Sequence, residues 1–551
     1  MKLLRALLLV VFSLMLLQVP TVAQTVSVGP GGGTPGTSSN FELVGHSDLL
    51  GRGLNSALAV YRDFVYVGSR TDGSSRCAPS DPRREETGLN SCPHPDPGVL
   101  ILDASNPASP KVVGQIGPPE QGLPGQTSRE LRVWPQKELL IVMNFQCGEL
   151  LHACTGSAVP RLRFYDISRP RNPVPIDSYE IFTREGIRRT PHEMFLWVDP
   201  KDPDRALLYV STPNGSRNPN GVQLNVIDIS DVPNGGEAHP VAEGTWNHLY
   251  PPTPTLGVHS VWPSFDGTRT HLGYTTGFYL MLDTSALAAG NIPDGEVLSL
   301  NDNLITPVEN RPMWENARPG HSAVPFPGRP YVFETDEVYG SYFVPTYGCP
   351  WGWSLILDVA DPVHPEVISE YRIRENTEEF CKSPENTPET NHVNTYTAHN
   401  PTLTRNLAFV TWSNGGLQAV DIKDPAAPTQ AGWYSPTPIP DVANEDPATT
   451  AGPNKVMMWS FPIISDGLIY VTDIRNGLYI LRYTGVRSDV VDDIRFLEGN
   501  SNLGEAGHLD VYVPEIEDDC TNGGWMDYSN PSFRNEAECI LYVDTKFSRP
   551  G

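Results

Sequence analysis

The chain has 551 residues, 39% of them hydrophobic, which suffices for a large core and excludes wholesale disorder. Its formal charge of −26 makes nucleic acid and anionic membrane poor partners. With 54 Pro and 48 Gly the connections must be many, which favours short strands over long helices.

Residues 1–23 read as a secretory signal: Lys2 and Arg5 precede an apolar run, and Thr21-Val22-Ala23 offers a cut before Gln24. That run is too short for a membrane span and no later stretch is long enough, so no transmembrane anchor is expected. The expected product is secreted, periplasmic or displayed at the cell surface, and monomeric. Residues 24–40, rich in Gly, Thr and Ser, read as a flexible linker.

From residue 41 to 485 the chain repeats itself. A strand followed by a turn recurs as GVLILDASNPASP (98–110), LRFYDISRPRNP (162–173), LNVIDISDVP (224–233), LMLDTSALAAG (280–290), LILDVADPVHP (355–365) and LQAVDIKDPAAP (417–428), with a seventh copy, LYILRYTG (478–485), that lacks the turn. The Asp accepts backbone N–H groups while Pro stops the strand. Residues 395–436 display the whole unit, four short strands cut by Arg-Asn, Ser-Asn-Gly-Gly and Asp-Pro. One such sheet cannot bury both faces and needs neighbours of its own kind. Full units start near 55, 128, 191, 258, 320 and 398. A last one, from 458 to 483, has three strands, and FELVGH (41–46) resembles the missing fourth, KVVGQI (111–116). The expectation is an all-β, seven-bladed β-propeller closed by its N-terminal strand, which removes exposed sheet edges.

These repeats resemble the LVIVD-repeat proteins of bacterial cell surfaces, whose pattern is an aliphatic run, Val-Asp-Val-Ser-Asp-Pro and a second Pro. The resemblance implies a β-propeller and little about activity.

The propeller reading sorts the loops. The B–C and D–A connections, which carry every long insertion, share a face with the starts of the innermost strands; the Asp-Pro turns lie on the other. Eight Cys in an exported chain imply disulfides. Sequence neighbours pair as Cys77–Cys92, Cys147–Cys154, Cys349–Cys381 and Cys520–Cys539, the third joining two insertions of one blade. The loop-rich face is thus the expected working face, for a small molecule, a glycan or a protein.

The blade starts PHEM (191–194), VHSV (258–261), GHSA (320–323) and AHNP (398–401) put His192, His259, His321 and His399 at one position, with Arg129 equivalent in blade two, Asn55 or Ser56 in blade one and Trp459 in blade seven. Imidazoles converging from several strands suit Fe, Cu or Zn. A four-His set drawn from propeller blades resembles that of carotenoid-cleaving oxygenases, and methanethiol oxidases of the selenium-binding family also use His on a propeller; the likeness is confined to the histidines. Each side chain can instead bond its own loop carbonyls, and the leading expectation is a ligand- or protein-binding scaffold, with a metal-dependent oxidoreductase using the four His as the alternative. Glu334, Asp336 and Glu337 are carboxylate candidates for the same mouth, and Trp351 and Trp353 either stack on a ligand or pack beneath the loop. His192-Glu193 fails as a zincin motif because Leu196 replaces the second His. No nucleophile elbow, Walker loop or dinucleotide fingerprint is present, so no catalytic residue is assigned.

Residues 486–518 form an acidic linker or wrapping segment. Residues 519–551, with Asn522-Gly523-Gly524-Trp525 and Pro531-Ser532-Phe533-Arg534-Asn535 between Cys520 and Cys539, resemble a short disulfide-closed C-terminal module of exported microbial proteins.

Overall fold

The computed structural model describes residues 24–71, 94–117, 126–146, 160–213, 221–246, 257–275, 277–293, 295–312, 318–338, 348–387, 394–445, 450 and 452–547. The signal segment and the Cys77, Cys92, Cys147 and Cys154 pairings lie outside them.

Seven sheets form the blades. Their innermost meander strands are Asn55–Tyr61, Gln126–Trp134, Glu193–Val198, Val258–Pro263, Gly320–Pro325, Pro401–Leu403 and Ile463–Ser465. The local cause of the repeat is visible at the end of each third strand. There Asp103, Asp166, Asp228, Asp283, Asp358 and Asp421 each accept the backbone N–H two residues on, at 2.7–3.0 Å. Except in blade four, these Asx turns reverse the chain into the outer strand. Blade four, whose copy lacks the prolines, turns instead through a short helix, Ser285–Ala288, and its sheet keeps three strands.

Phe41–Ser47 pairs antiparallel with Gly477–Tyr483 and closes blade seven, as the repeat count requires. Blades one and seven then share a core in which Leu58, Val65 and Leu100 meet Ile463, Tyr470 and Ile480. Residues 24–40 are not the expected flexible linker. Thr25–Gly29 pairs parallel with the outer strand of blade five, Glu366–Ile373, and Thr37–Ser39 pairs with that of blade six, Thr429–Ser435. Backbone pairing orders a stretch whose composition alone reads as mobile.

The propeller also continues past residue 485. Phe496–Glu498 adds to blade seven inside its innermost meander strand. The chain then crosses the lower end of the axial channel. The Gly499 carbonyl accepts from Trp262 Nε1 at 2.6 Å, the Asn500 carbonyl from the Leu196 N–H at 3.1 Å, and Asn502 clasps Val198 at 2.7 and 2.8 Å. Beyond it, the C-terminal module docks on the same lower face, with Cys520 and Cys539 bonded and a helix at Glu536–Phe547. Cys349 and Cys381 are bonded as expected. Among the described residues no helix is long and apolar enough to cross a membrane.

Candidate functional site

Side chains of an innermost strand ordinarily face the neighbouring blades, because alternate residues point to opposite faces of the sheet. Pointing one at the axis needs a break in the ladder. Such breaks fall at the predicted ring: pairing skips His259 between Val258 and Ser260, His321 between Gly320 and Ser322, and Arg129 between Ser128 and Glu130. A β-bulge adds a residue to one strand and re-aims its side chain. The bulged backbone swings against the preceding blade, where only glycine fits. A Cβ on Gly273 would sit 2.4 Å from the His321 carbonyl oxygen, and one on Gly68 would sit 2.0 Å from that of Ser128.

The four imidazoles are brought together. Successive ring centroids along His192, His259, His321 and His399 are 4.4, 4.1 and 4.1 Å apart. Their inner nitrogens face one another and two carboxylates. His192 Nε2 lies 2.9 Å from His259 Nε2, His321 Nε2 lies 3.3 Å from Glu193 Oε1, and His399 Nε2 lies 3.1 Å from Glu337 Oε1. Glu337 Oε2 is 3.8 Å from both His259 Nε2 and His321 Nε2. Three overlapping groups result, His192–Glu193–His259, Glu193–His321–His399 and His259–His321–Glu337, each with its ligand atoms within 4.8 Å. Every group is two imidazoles and one carboxylate.

The outer nitrogens decide which atoms face inward. His399 Nδ1 lies 2.7 Å from the Trp459 carbonyl oxygen, which can only accept, so Nδ1 carries the proton. His321 Nδ1 meets Ser322 Oγ at 2.8 Å, and that hydroxyl gives its proton to the His399 carbonyl at 3.3 Å, so again Nδ1 donates. His259 Nδ1 meets Ser260 Oγ at 2.9 Å, whose proton goes to Glu193 Oε2 at 2.6 Å. In their neutral forms these three imidazoles therefore direct Nε2 lone pairs at two carboxylates. His321 Nε2 and Glu193 Oε1 are buried and have no hydrogen-bond partner.

The environment holds His192, His259 and His399 neutral and the two carboxylates ionised. Burial, reinforced by His321, pushes His259 down to about 3, and burial also lowers His399. Burial and then Arg129 push His192, the half-buried member of the set, well below its ordinary value. For Glu337 burial acts upward, but His399 and His321 outweigh it and hold the group down at about 2. Glu193 is likewise held well below its ordinary value, because His321 outweighs its burial. His321 is raised, since Glu193 and Glu337 outweigh its burial.

Arg129 and Trp459 complete the ring. Arg129 Nη2 is 3.4 Å from His192 Nε2, its Cζ lies 5.4 Å from the Trp459 ring, and that ring is 5.0 Å from the His399 ring. In blade one, Asn55 and Ser56 are spent on backbone carbonyls of Ile474 and Ser128. Arg70, at the end of the next strand, reaches Trp459 instead, at 5.3 Å.

Other candidates fall elsewhere. Glu334 and Asp336 are buried but join none of the imidazole groups, and burial with Asp336 raises Glu334 well above its ordinary value, which favours its neutral form. Trp351 packs on Tyr396 and Phe380, and Trp353 lies between the guanidiniums of Arg318 and Arg372, so neither is a stacking platform for a ligand. Glu193 was legible only as a failed zincin. Its signal is that it follows the ring His where the other copies have Ser260, Ser322 and Asn400.

No family model matches the chain, and no curated protein matches it. Solved structures similar to it include Sqt1 from Chaetomium thermophilum, with TM-score 0.41 and 11% identity over 80% of this chain and 86% of that one. Sqt1 bound to the N-terminus of the ribosomal protein L10 matches with TM-score 0.39 and 13% identity over 79% and 89%. Likeness this distant carries no argument about what this chain does.

Proposed function

We propose that the chain is an exported metal-dependent oxidoreductase, an LVIVD-like propeller whose axial mouth holds a transition-metal ion. The observation that carries this reading is the inward set of lone pairs. His259, His321 and His399 have their Nδ1 protons committed outward, so in the neutral rings it is the Nε2 lone pairs that face Glu193 and Glu337. A proton on His321 relieves one of these contacts and leaves His399 Nε2 against Glu337 Oε1. A divalent cation relieves all of them, and the two carboxylates balance its charge. The closest spacings, 2.9, 3.1 and 3.3 Å, match the roughly 3.0–3.4 Å between two ligands each about 2.1 Å from one ion, while Glu337 Oε2, at 3.8 Å from His259 and His321, has to draw in. Outward Nδ1 donation is the usual support of a metal-bound imidazole.

Two imidazoles with a carboxylate and open positions is the donor set of non-haem Fe(II), while imidazole also suits Cu and Zn. Iron bound here would supply activation of dioxygen or another oxidant beside a held substrate. The protein's own part is to orient the ligands through Ser260, Ser322 and the Trp459 carbonyl, and to bar water from below with the chain at 496–510.

Purified mature protein should carry near one equivalent of transition metal, and the His259→Ala, His321→Ala double variant should carry none while remaining folded. Absence of metal from wild type after reconstitution with Fe(II), Cu(II) and Zn(II), or full retention in the variant, would overturn the reading and leave the binding scaffold.

A further inference from the structure

We propose that the axial ring takes a small anion, a carboxylate or an inorganic oxyanion, as the ligand on the substrate side of the metal centre, with Arg129 as the group that holds it. The inference rests on the metal reading above and names the substrate class for that site. The ring is divided by chemistry. One arc carries the four imidazoles; the other carries Arg129 and Trp459, with Arg70 on the same indole. A guanidinium has no lone pair to give a metal and stays charged at any physiological pH. Yet Arg129 is aimed by the same kind of bulge as His259 and His321, and so at the same point on the axis.

Distance puts it within reach of that point. Arg129 Nη2 is 3.4 Å from His192 Nε2, which is 2.9 Å from His259 Nε2. An ion about 2.1 Å from those nitrogens places a further ligand atom on its open side beside the guanidinium. His192 is also the least buried imidazole of the set, so this side is the one that meets solvent. Glu193 and Glu337 offset a divalent ion, and the N–H groups of Arg129 beside His192 suit an anionic ligand better than a neutral one. Trp459 holds the guanidiniums of Arg129 and Arg70 by its face, an attraction that strengthens where water is excluded.

The test uses the full chain loaded with Co(II), whose visible bands report changes in ligation. Co(II) stoichiometry is measured first, and then formate, azide, inorganic phosphate and, as a neutral control, imidazole are titrated. At least one anion should perturb the bands. Arg129→Gln, with unchanged Co(II) stoichiometry, should weaken that anion about tenfold or more, as expected for losing a charged hydrogen bond, while imidazole binds as before. Arg70→Gln, farther from the ion, should weaken it less and serves if the first variant does not fold. The anion that binds tighter, formate or phosphate, separates a carboxylate from an oxyanion substrate. Equal weakening of anion and imidazole, unchanged anion affinity in both variants, or no anion binding would overturn the proposal and leave the metal reading standing. Failure to take up Co(II) would sink both.

Discussion

At the scale of single residues, the site depends on what lies behind it. Gly273 belongs to the second strand of blade four, and its missing side chain is the space into which the His321 backbone bulges. Gly273→Ala sets a methyl group 2.4 Å from a carbonyl oxygen in a buried strand, where nothing nearby can yield cheaply. The expected cost is about 1–3 kcal/mol, as for other overpacked interiors, with metal occupancy falling as His321 is displaced. Denaturant unfolding and metal analysis of the same preparation check both. Unchanged occupancy would mean that the bulge does not position the imidazole. Much of this site was legible in the residue order, since four histidines, an arginine and a tryptophan fall at one repeat position. The carboxylates were less so. Glu337 follows its strand as one acid among three, and only the alternation of side chains in three dimensions separates it from Glu334 and Asp336. Glu193 of blade three reaches His321 of blade five directly while its other oxygen is held by Ser260 of blade four, a contact that no spacing in the chain reports.

At the scale of elements, the blades follow from a local code, and the additions to them do not. The Asx turn after the third strand of blades one to six is chemistry within a few residues, so the blade count could be read directly. Thr25–Gly29 and Thr37–Ser39 have no such signature. They are strands only because blades five and six leave outer edges open to them, and Val26 and Val28 remain about half exposed. Their contribution is edge protection. Deleting 24–40 should leave a folded ring with lower stability and a greater tendency to aggregate, because two outer strands regain unpaired N–H and C=O groups. Deleting 24–47 also removes the strand that closes blade seven and should abolish soluble expression. Thermal unfolding with light scattering distinguishes the two. If both truncations behave like the full mature chain, neither the added strands nor the closure stabilises the ring.

At the scale of the molecule, one end of the channel carries the ring and the other is crossed by the chain itself, with the C-terminal module fastened beside the crossing. The fastening is ionic and buried. Asp519 takes Arg487 through both oxygens, at 2.6 and 2.8 Å, and Lys423 at 2.9 Å, while Glu515 meets Asn406 at 2.7 Å and Arg405 at 3.4 Å. Burial acts to raise Asp519, but the Arg487 bonds outweigh it and hold the group at about 2. A carboxylate depressed below its unfolded value of about 3.9 contributes stability that is fully present above that value and lost as pH falls toward 2. Undocking should therefore begin below about pH 4, and not on the alkaline side. Asp519→Asn removes the charge at neutral pH and leaves Arg487 buried with a weaker partner, Glu515 at 3.6 Å. Breaking a buried pair in this way costs about 3–5 kcal/mol. Hydrogen exchange along the helix Glu536–Phe547 reads the docking directly. In the variant at pH 7 its protection should fall to that of wild type near pH 2.5, while the protection of the blade strands at pH 7 is unchanged. Full protection of that helix in the variant would show that other contacts, such as Arg329 over the Tyr512 ring, and not these ion pairs, hold the module to the propeller.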